Sequence, residues 1–304
     1  MMLKKLTPTD FPDLKRFIQG QPYGLCYYSL PSILTWSNPF YQPFGAVEDD
    51  ALIVGIEFEE KIDSRHMLLP LSRERIYPPE QLRNVAQSCG FDAYRFVSEE
   101  YLASYKREDI EACFSITEQQ GYEDYLHLVS DLSELKGNKY AKKRNLINQF
   151  RREYVVKDRI RVEPITPGFR DECVDFLYKQ SEEAGRDIDG DEDLICEKEA
   201  IINHIDHIDI LETPGILLRI GEEVAAFGIS AHITDDIAAL HYEKAYSRVK
   251  GLYQYFDNLC AKTLFEGYTY INRESDMGDT GLIRAKNSYH PVKQIRAFEL
   301  KVKA

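Results

Sequence analysis

The chain has 304 residues, a formal net charge of -13 and a hydrophobic content of 43%. This length exceeds what one small core needs and predicts two domains of ordinary size. The acidic balance excludes a generic nucleic-acid binder, because attraction to phosphate groups requires a basic surface.

The start of the chain and its apolar runs bear on the cellular location of the protein. The opening MMLKKLTPTDFPDL has neither the apolar run nor the cleavage site of a signal peptide. No stretch approaches about 18 consecutive apolar residues, so we expect no transmembrane segment. The six cysteines show neither CxxC pairs nor metal-ligand spacing, which favours reduced thiols in a cytoplasmic protein and no metal site. His204 and His207 lack the glutamate of a zinc-protease motif and are expected on a helix surface.

Alternating strands and helices are predicted in the first part of the chain. Capping residues Thr9 or Asp10 and the closing Gly20 predict a helix over residues 6–20, followed by an aromatic, turn-rich stretch to about residue 45. The later elements are a strand at 51–58, an apolar run at 66–71, a helix at 78–90, a strand leading into a short helix at 91–105, and a strand-like run at 122–130.

The second part is patterned more strongly. A basic helix with a turn at Gly137 is predicted over residues 131–154. It is followed by a strand at 159–166, helices at 168–185 and 192–211, strands at 215–220, 224–233 and 237–245, a helix at 251–267, a strand at 268–274, a helix at 281–290 and a final strand at 292–302. Strand, hairpin, helix, strand, helix, strand is the closing order of a GNAT-type acyltransferase fold.

Three segments carry a resemblance to a known family. They are LKGNKYAKKRNLINQF (135–150), LHYEKAYSRVKGLYQYFDN (240–258) and YINRESDMGDTGLIRAKNSYHPVK (270–293). In content, order and separation they resemble the C-terminal domain of phosphatidylglycerol lysyltransferases. The resemblance implies an α/β fold of two GNAT-like domains in tandem, each a mixed central sheet flanked by helices. We expect a degenerate N-terminal domain at 1–130, a basic linking helix at 131–158, and a C-terminal domain carrying the site at 159–304.

The same resemblance implies transfer of an acyl or aminoacyl group from an activated donor. In the membrane-anchored relatives the donor is an aminoacyl-tRNA and the acceptor is phosphatidylglycerol. This sequence lacks their multi-span membrane region, which leaves the lipid acceptor open.

A basic island interrupts the acidic chain. Residues 136–161 contain ten basic and two acidic residues, a net charge of +8. Within it, Lys143, Arg144 and Asn145 lie on the family motif, and we expect them to bind the donor's phosphates, as part of a tRNA or of another anionic ligand. The alternative is a solvated helix face that links the two halves.

A second anion site is predicted at Arg248 and Gly251, just before a helix, where free backbone N–H groups favour an anion. In ordinary GNAT enzymes a glycine-rich basic loop here cradles the coenzyme A pyrophosphate. A single glycine is a weak signature of that cradle.

The candidate catalytic residues are Glu243, His241 and Glu274. His241 and Glu243 alternate on a predicted strand and should share a face, where a carboxylate can act as a general base on an attacking amine or hydroxyl. The alternative is a buried, hydrogen-bonded core pair. The residues expected to bind substrate follow the strand ends: Asn272, Asp276, Arg284, Lys286 and Tyr289. We expect one cavity to be lined by His241, Glu243, Asn272, Glu274, Arg284 and Lys286.

Three functions therefore remain open at this point. The first is an acyl or aminoacyl transferase that uses aminoacyl-tRNA as donor and an amine or hydroxyl as acceptor. The second is a coenzyme A-dependent N-acetyltransferase, and the third is a non-catalytic GNAT-like binding module. No pattern specifies an oligomeric state.

Overall fold

The fold is built on two mixed β-sheets. The computed structural model describes residues 1–38, 40–59 and 64–303. The first sheet comprises β1 (Lys4–Lys5), β2 (Tyr41–Glu48), β3 (Ala51–Phe58), β4 (His66–Met67), β5 (Leu71–Ser72), β6 (Ala93–Ser98), β7 (Phe114–Glu118) and the last strand of the chain, β15 (Ala297–Val302). Its order is β1-β2-β3-β4-β6-β15-β7, with β5 beside β3. Strands β4 and β6 run parallel, and their neighbours pair antiparallel.

The second sheet holds the strongly patterned part of the chain. It comprises β8 (Asp124–Leu128), β9 (Ile160–Pro164), β10 (Gly215–Ile220), β11 (Glu223–His232), β12 (Ile237–Ala245), β13 (Tyr270–Asn272) and β14 (Lys293–Ile295). Its order is β14-β8-β13-β12-β11-β10-β9. Strands β12 and β13 form a parallel pair beside otherwise antiparallel ladders.

The two sheets exchange a strand. Strand β15, from the end of the chain, lies between β6 and β7 of the first sheet, and β8 lies between β13 and β14 of the second. The predicted single strand at 292–302 is wrong, because the run divides at Arg296 into β14 and β15, which belong to different sheets. Periodicity identifies a strand but does not identify its partner. The domain boundaries near residues 130 and 159 stay a prediction.

Helices cover both sheets. They are α1 (Phe11–Leu14), α2 (Leu30–Thr35), α3 (Pro79–Cys89), α4 (Glu99–Ser104), α5 (Arg107–Cys113), α6 (Val129–Glu134), α7 (Ala141–Phe150), α8 (Arg170–Glu183), α9 (Glu192–Asp206), α10 (Leu252–Thr263) and α11 (Thr280–Asn287). The predicted opening helix is a series of short helical turns from Pro8 to Phe17, and the predicted turn-rich stretch contains the missed strand β2. No helix in the described part of the chain is long and apolar enough to cross a membrane.

Two successive residues of β11 lie on opposite faces of the second sheet and show which helices cover each face. Phe227 packs edge-on against Phe176 of α8 on one face. On the other face, a side-chain carbon at Gly228 would lie 3.1 Å from the Cys260 sulfur of α10. Helices α6, α7 and α10 therefore share one face, and α8, α9 and α2 cover the other.

The interpretation of His204 as a surface residue is wrong. His204 is fully buried in α9, accepts or donates a 2.8 Å hydrogen bond between its Nε2 and Thr213 Oγ1, and packs edge-on against Tyr242. Burial, together with the neighbouring His241, lowers its pKa to about 3. The neutral ring is therefore the form that the fold accommodates.

We expect His204 to make the fold sensitive to acid. Its folded-state pKa lies below its ordinary value of 6.5, so its contribution is fully present above about pH 6.5 and is lost as the pH falls toward 3. The loss should reach about 1.4 kcal/mol per pH unit. His204→Gln should flatten the pH dependence of the free energy of unfolding, measured by urea titration between these limits, whereas His207→Gln at the end of the same helix should not. An unchanged slope in His204→Gln would refute the assignment.

Candidate functional site

The site lies where the parallel strands β12 and β13 separate. Their pairing ends at Ala239 and Asn272, whereas β12 continues to Ala245. The register between β11 and β12 also shifts. Ile229 pairs with Tyr242, whereas the next residue, Ser230, pairs with Leu240, so His241 is skipped. His241 is the extra residue of this bulge, and bulges redirect the side chains they contain.

His241 joins the two halves of the chain through its ring. Its Nδ1 lies 2.6 Å from Glu274 Oε1, and its Nε2 lies 2.8 Å from Ser29 Oγ, in the segment before α2. The His241 side chain is 1% exposed, whereas the Glu274 side chain is 34% exposed. Glu274 is therefore the end of this hydrogen-bonded chain that meets solvent.

Asn272 holds the backbone of Glu274 in place. Its Oδ1 accepts a 2.7 Å hydrogen bond from Glu274 N, while its Nδ2 donates to Gly24 O at 2.9 Å and to Asp124 Oδ2 at 2.7 Å. Burial raises the pKa of Asp124 to about 6, although donors from Cys26 and Asn272 oppose the rise. Glu274 has a φ of +59°, a conformation that costs free energy in residues other than glycine and recurs at functional sites.

Glu243 belongs to a separate ionic cluster. Arg273 Nη2 lies 2.7 Å from Glu243 Oε2, and Arg273 Nη1 lies 3.2 Å from Asp257 Oδ2 of α10. The other oxygens, Glu243 Oε1 and Asp257 Oδ1, are buried and have no hydrogen-bond partner among the described residues. Burial, together with the Asp257 carboxylate, raises the pKa of Glu243 to about 7, although Arg273 opposes the rise.

Lys143 and Tyr289 complete this ionic cluster. The Lys143 ammonium lies 3.7 Å from the centre of the Tyr289 ring and donates to Ser288 Oγ at 2.6 Å. The Arg273 guanidinium lies 5.0 Å from the centre of the same ring. Burial lowers the pKa of Lys143 to about 8. Lys143 thus packs against α11 instead of standing free on α7.

The expectation of a single cavity is not met, because Glu243 and Asn272 face opposite sides of the sheet. Glu243 pairs with Gly228, which faces α10, whereas Asn272 bonds to Gly24 of the first half. The remaining residues of that set lie near Glu274 or at the surface. Lys286 Nζ donates to Glu274 O at 3.1 Å, and Arg284 is exposed on α11. The catalytic and binding roles themselves stay predictions.

Asp276 lies on the loop after β13. Its carboxylate accepts a 2.6 Å hydrogen bond from the Tyr125 hydroxyl and caps Gly278 N at 2.8 Å. Asp276 is 5% exposed, so in this conformation it shapes the loop that carries Glu274.

The residues of the basic island divide into engaged and exposed groups. Arg144 Nη1 donates to the carbonyl oxygens of Leu135 and Gly137, which follow α6. Asn145 is exposed and lines a surface hollow of about 510 Å³ on α7, together with Asn148, Gln149, Arg151 and Arg152. Gly251 has a φ of +82° and lies against the Leu146 carbonyl of α7, so a side chain there would collide with that helix.

The turn between β12 and α10 already contains an anion from the chain itself. The Glu183 carboxylate, at the end of α8, accepts hydrogen bonds from Arg248 N at 2.7 Å and from Arg248 Nη1 at 2.6 Å. Ser247 Oγ also donates to this carboxylate. The backbone N and guanidinium of Arg248, which the sequence offers to a phosphate, are therefore occupied by Glu183.

This architecture has known relatives. Residues 68–299, more than half of the chain, match the family model described as "Phosphatidylglycerol lysyltransferase, C-terminal". The chain belongs to this family. Among curated proteins, none matches it.

Two solved structures are similar over nearly the whole chain. A conserved protein of unknown function from Bacteroides thetaiotaomicron shares 28% identity and a TM-score of 0.85, with 99% of each chain covered. The C-terminal domain of a proposed lysylphosphatidylglycerol synthetase from Agrobacterium fabrum shares 15% identity and a TM-score of 0.63, with 96% of this chain and 91% of that chain covered. The second likeness shows the fold, and the predicted α/β fold of mixed sheets flanked by helices is confirmed.

Sequence reasoning missed four residues of the site: Ser29, Glu183, Asp257 and Arg273. Arg273 and Asp257 lie inside the segments that resemble the lysyltransferase family. A charged residue of each sign within those segments could have indicated a buried ion pair. Ser29 and Glu183 lie outside those segments, and no local pattern points to them.

Proposed function

We propose that this chain transfers an acyl or aminoacyl group from an activated ester to an amine or hydroxyl, with Glu274 as the general base. Membership of the lysyltransferase family supports an acyltransferase-type function. The observation that carries the proposal is the exposure of Glu274, at 34% of its side chain, against 1% for His241 and 10% for Glu243. A general base must reach the proton that it removes.

The reaction then needs no covalent intermediate with the protein. The Glu274 carboxylate takes a proton from the acceptor as the acceptor nitrogen or oxygen attacks the ester carbonyl. The tetrahedral intermediate collapses, the bond to the donor oxygen breaks, and the proton on Glu274 passes to that leaving oxygen. An amide or ester forms, and the carboxylate is regenerated.

The occupied turn between β12 and α10 favours an aminoacyl-tRNA over coenzyme A as donor. A coenzyme A pyrophosphate at Arg248 would have to displace the Glu183 carboxylate. Helix α7 and the helical segment that directly follows it, Arg151–Val155, instead present Lys142, Arg151 and Arg152 at the surface. None of these three side chains has an ion-pair partner in the described parts of the chain. Exposed lysines and arginines bind nucleic-acid backbones by releasing counterions.

The function is tested by incubating the protein with aminoacyl-tRNA or with acetyl-coenzyme A, each with a panel of amine and hydroxyl acceptors. We expect loss of the aminoacyl ester with formation of a new amide or ester, and no reaction with the thioester. Transfer from acetyl-coenzyme A alone would establish the acetyltransferase instead. Absence of transfer from either donor to every acceptor would favour a binding module.

We expect Lys142→Ala combined with Arg152→Ala to weaken tRNA binding. Each lost phosphate contact should reduce the slope of log affinity against log salt by about 1. Binding measured by fluorescence anisotropy at several salt concentrations gives this slope. Lys157→Ala is the control, because Lys157 pairs with Glu153 within the same basic segment. An unchanged slope in the double variant would remove α7 as the donor surface.

A further inference from the structure

A chain of hydrogen bonds connects the first half of the protein to the exposed carboxylate. It runs from Ser29 Oγ to His241 Nε2 over 2.8 Å and from His241 Nδ1 to Glu274 Oε1 over 2.6 Å. A hydroxyl, an imidazole and a carboxylate in this order are the parts of a serine-hydrolase triad. Their distances are within hydrogen-bonding range throughout.

Exposure decides the direction in which this chain works. Ser29 is 0% exposed, and the His241 side chain is 1% exposed. A nucleophilic serine must reach the ester carbonyl, whereas this hydroxyl is enclosed. The carboxylate, which in a hydrolase triad is the buried end, is here the end that meets solvent. The series of hydrogen bonds therefore presents Glu274, and not Ser29, to a substrate.

The partners of His241 fix which ring nitrogen holds the proton. An ionised carboxylate accepts hydrogen bonds and cannot donate them, so Nδ1 carries a proton that it donates to Glu274. When the ring is neutral, Nε2 is left as an acceptor, and the Ser29 hydroxyl is the donor that satisfies it. Without the Ser29 hydroxyl, the buried Nε2 loses its hydrogen-bond partner, and the ring loses one of the two contacts that hold its orientation.

The segment that carries Ser29 is docked firmly onto the second sheet. Gly24 O accepts from Asn272 Nδ2 at 2.9 Å, and Cys26 N donates to Asp124 Oδ2 at 2.6 Å. On its other side, the Tyr27 ring stacks on Phe96 of β6 in the first sheet, with 3.6 Å between centroids. Asn272 also holds the backbone N of Glu274, so this segment supports Glu274 through both Asn272 and His241.

We infer that Ser29 is a positioning residue of the acyl-transfer site: its hydroxyl anchors the His241 ring at Nε2, so that Nδ1 is held toward Glu274 and orients the carboxylate toward the acceptor. This inference rests on the proposed role of Glu274 as base. It gives the first half, which otherwise resembles a degenerate copy, a part in the chemistry of the second.

The tautomer is tested by long-range ¹H–¹⁵N NMR on full-length protein labelled at histidine, with His241→Gln identifying the signal. We expect wild-type His241 to be protonated on Nδ1 and unprotonated on Nε2. Ser29→Ala should move the Nε2 resonance to that of an acceptor without a hydrogen bond while Nδ1 stays protonated, and Ser29→Thr, which keeps the hydroxyl, should restore the wild-type resonance. Ser32→Ala makes the same change about one helical turn further along, within α2, and should leave the signal unchanged. A wild-type proton on Nε2, or an unchanged Nε2 resonance in Ser29→Ala, would overturn the inference.

Kinetics give the second readout. Ser29→Ala should lower kcat about tenfold or more with KM nearly unchanged, because the acceptor contacts Glu274 and not Ser29. Ser29→Thr should recover most of that loss. Covalent labelling of Ser29 by a fluorophosphonate would make it a nucleophile and refute the positioning role. If the NMR signals behave as expected while wild-type protein transfers no acyl group, the proposed function fails and the hydrogen-bonded arrangement stands.

Discussion

Glu274→Gln is expected to lower the rate of acyl transfer by about 100-fold or more, the usual contribution of a general base. The amide keeps the size of the side chain and can still meet His241, but it cannot take a proton from the acceptor. Substrate binding should change little, because the lost interaction is the transfer of the acceptor's proton to Glu274, which takes place only in the transition state. Single-turnover measurements with excess protein separate this chemical step from product release.

Two variants sharpen the result for Glu274. Glu266→Gln changes an exposed glutamate in the turn after α10 and should leave the rate unaltered. Glu243→Gln removes one partner of the buried Arg273 and should chiefly change stability. If Glu243→Gln abolishes transfer while Glu274→Gln retains it, the base is Glu243, and its raised pKa of about 7 becomes the relevant property.

The local elements of this fold could be predicted from sequence because their signals are local. Helix α3 begins with prolines and ends before Gly90, which has a φ of +77°, and each feature is a known boundary signal. Strand β3 is predicted by its apolar run and occupies the same residues, Ala51–Phe58. The exchange of β8 and β15 has no local signal, since any strand pattern is compatible with either sheet.

The site was predicted in part for the same reason. Strand alternation brought His241 to attention, but it also placed His241 on the same face as Glu243, and the bulge at His241 breaks that alternation. The partner Ser29 is 212 residues away in sequence. A contact over that separation depends on how the two halves dock, which residue spacing does not encode.

Removing strand β15 is expected to unfold the first sheet, although the strand lies at the other end of the chain. A chain that ends at Arg296 leaves β6 and β7 without the strand between them. Their backbone groups lose a partner on that side, and two fully buried residues, Ala297 and Leu300, leave the core. The free energy of unfolding of a domain is only about 5–15 kcal/mol, so we do not expect the sheet to stay folded without a strand from its interior. Hydrogen exchange should show loss of protection in β3 and β6, measured against a chain that ends at Val302 and retains all of β15.

A point variant tests the same exchange in the complete chain. Leu300→Ala should lower the free energy of unfolding by about 2–5 kcal/mol, because Leu300 is fully buried and the cavity left behind collapses only in part. Lys301→Ala, at the next and exposed position, should change it by less than about 0.5 kcal/mol. Both values come from urea titrations at one pH. Since β15 follows the second half in sequence but packs in the first sheet, the loss of exchange protection in Leu300→Ala should appear in β6 and β7. Protection lost only around β13 and β14 would show that the last strand belongs to the second sheet and that the exchange is wrong.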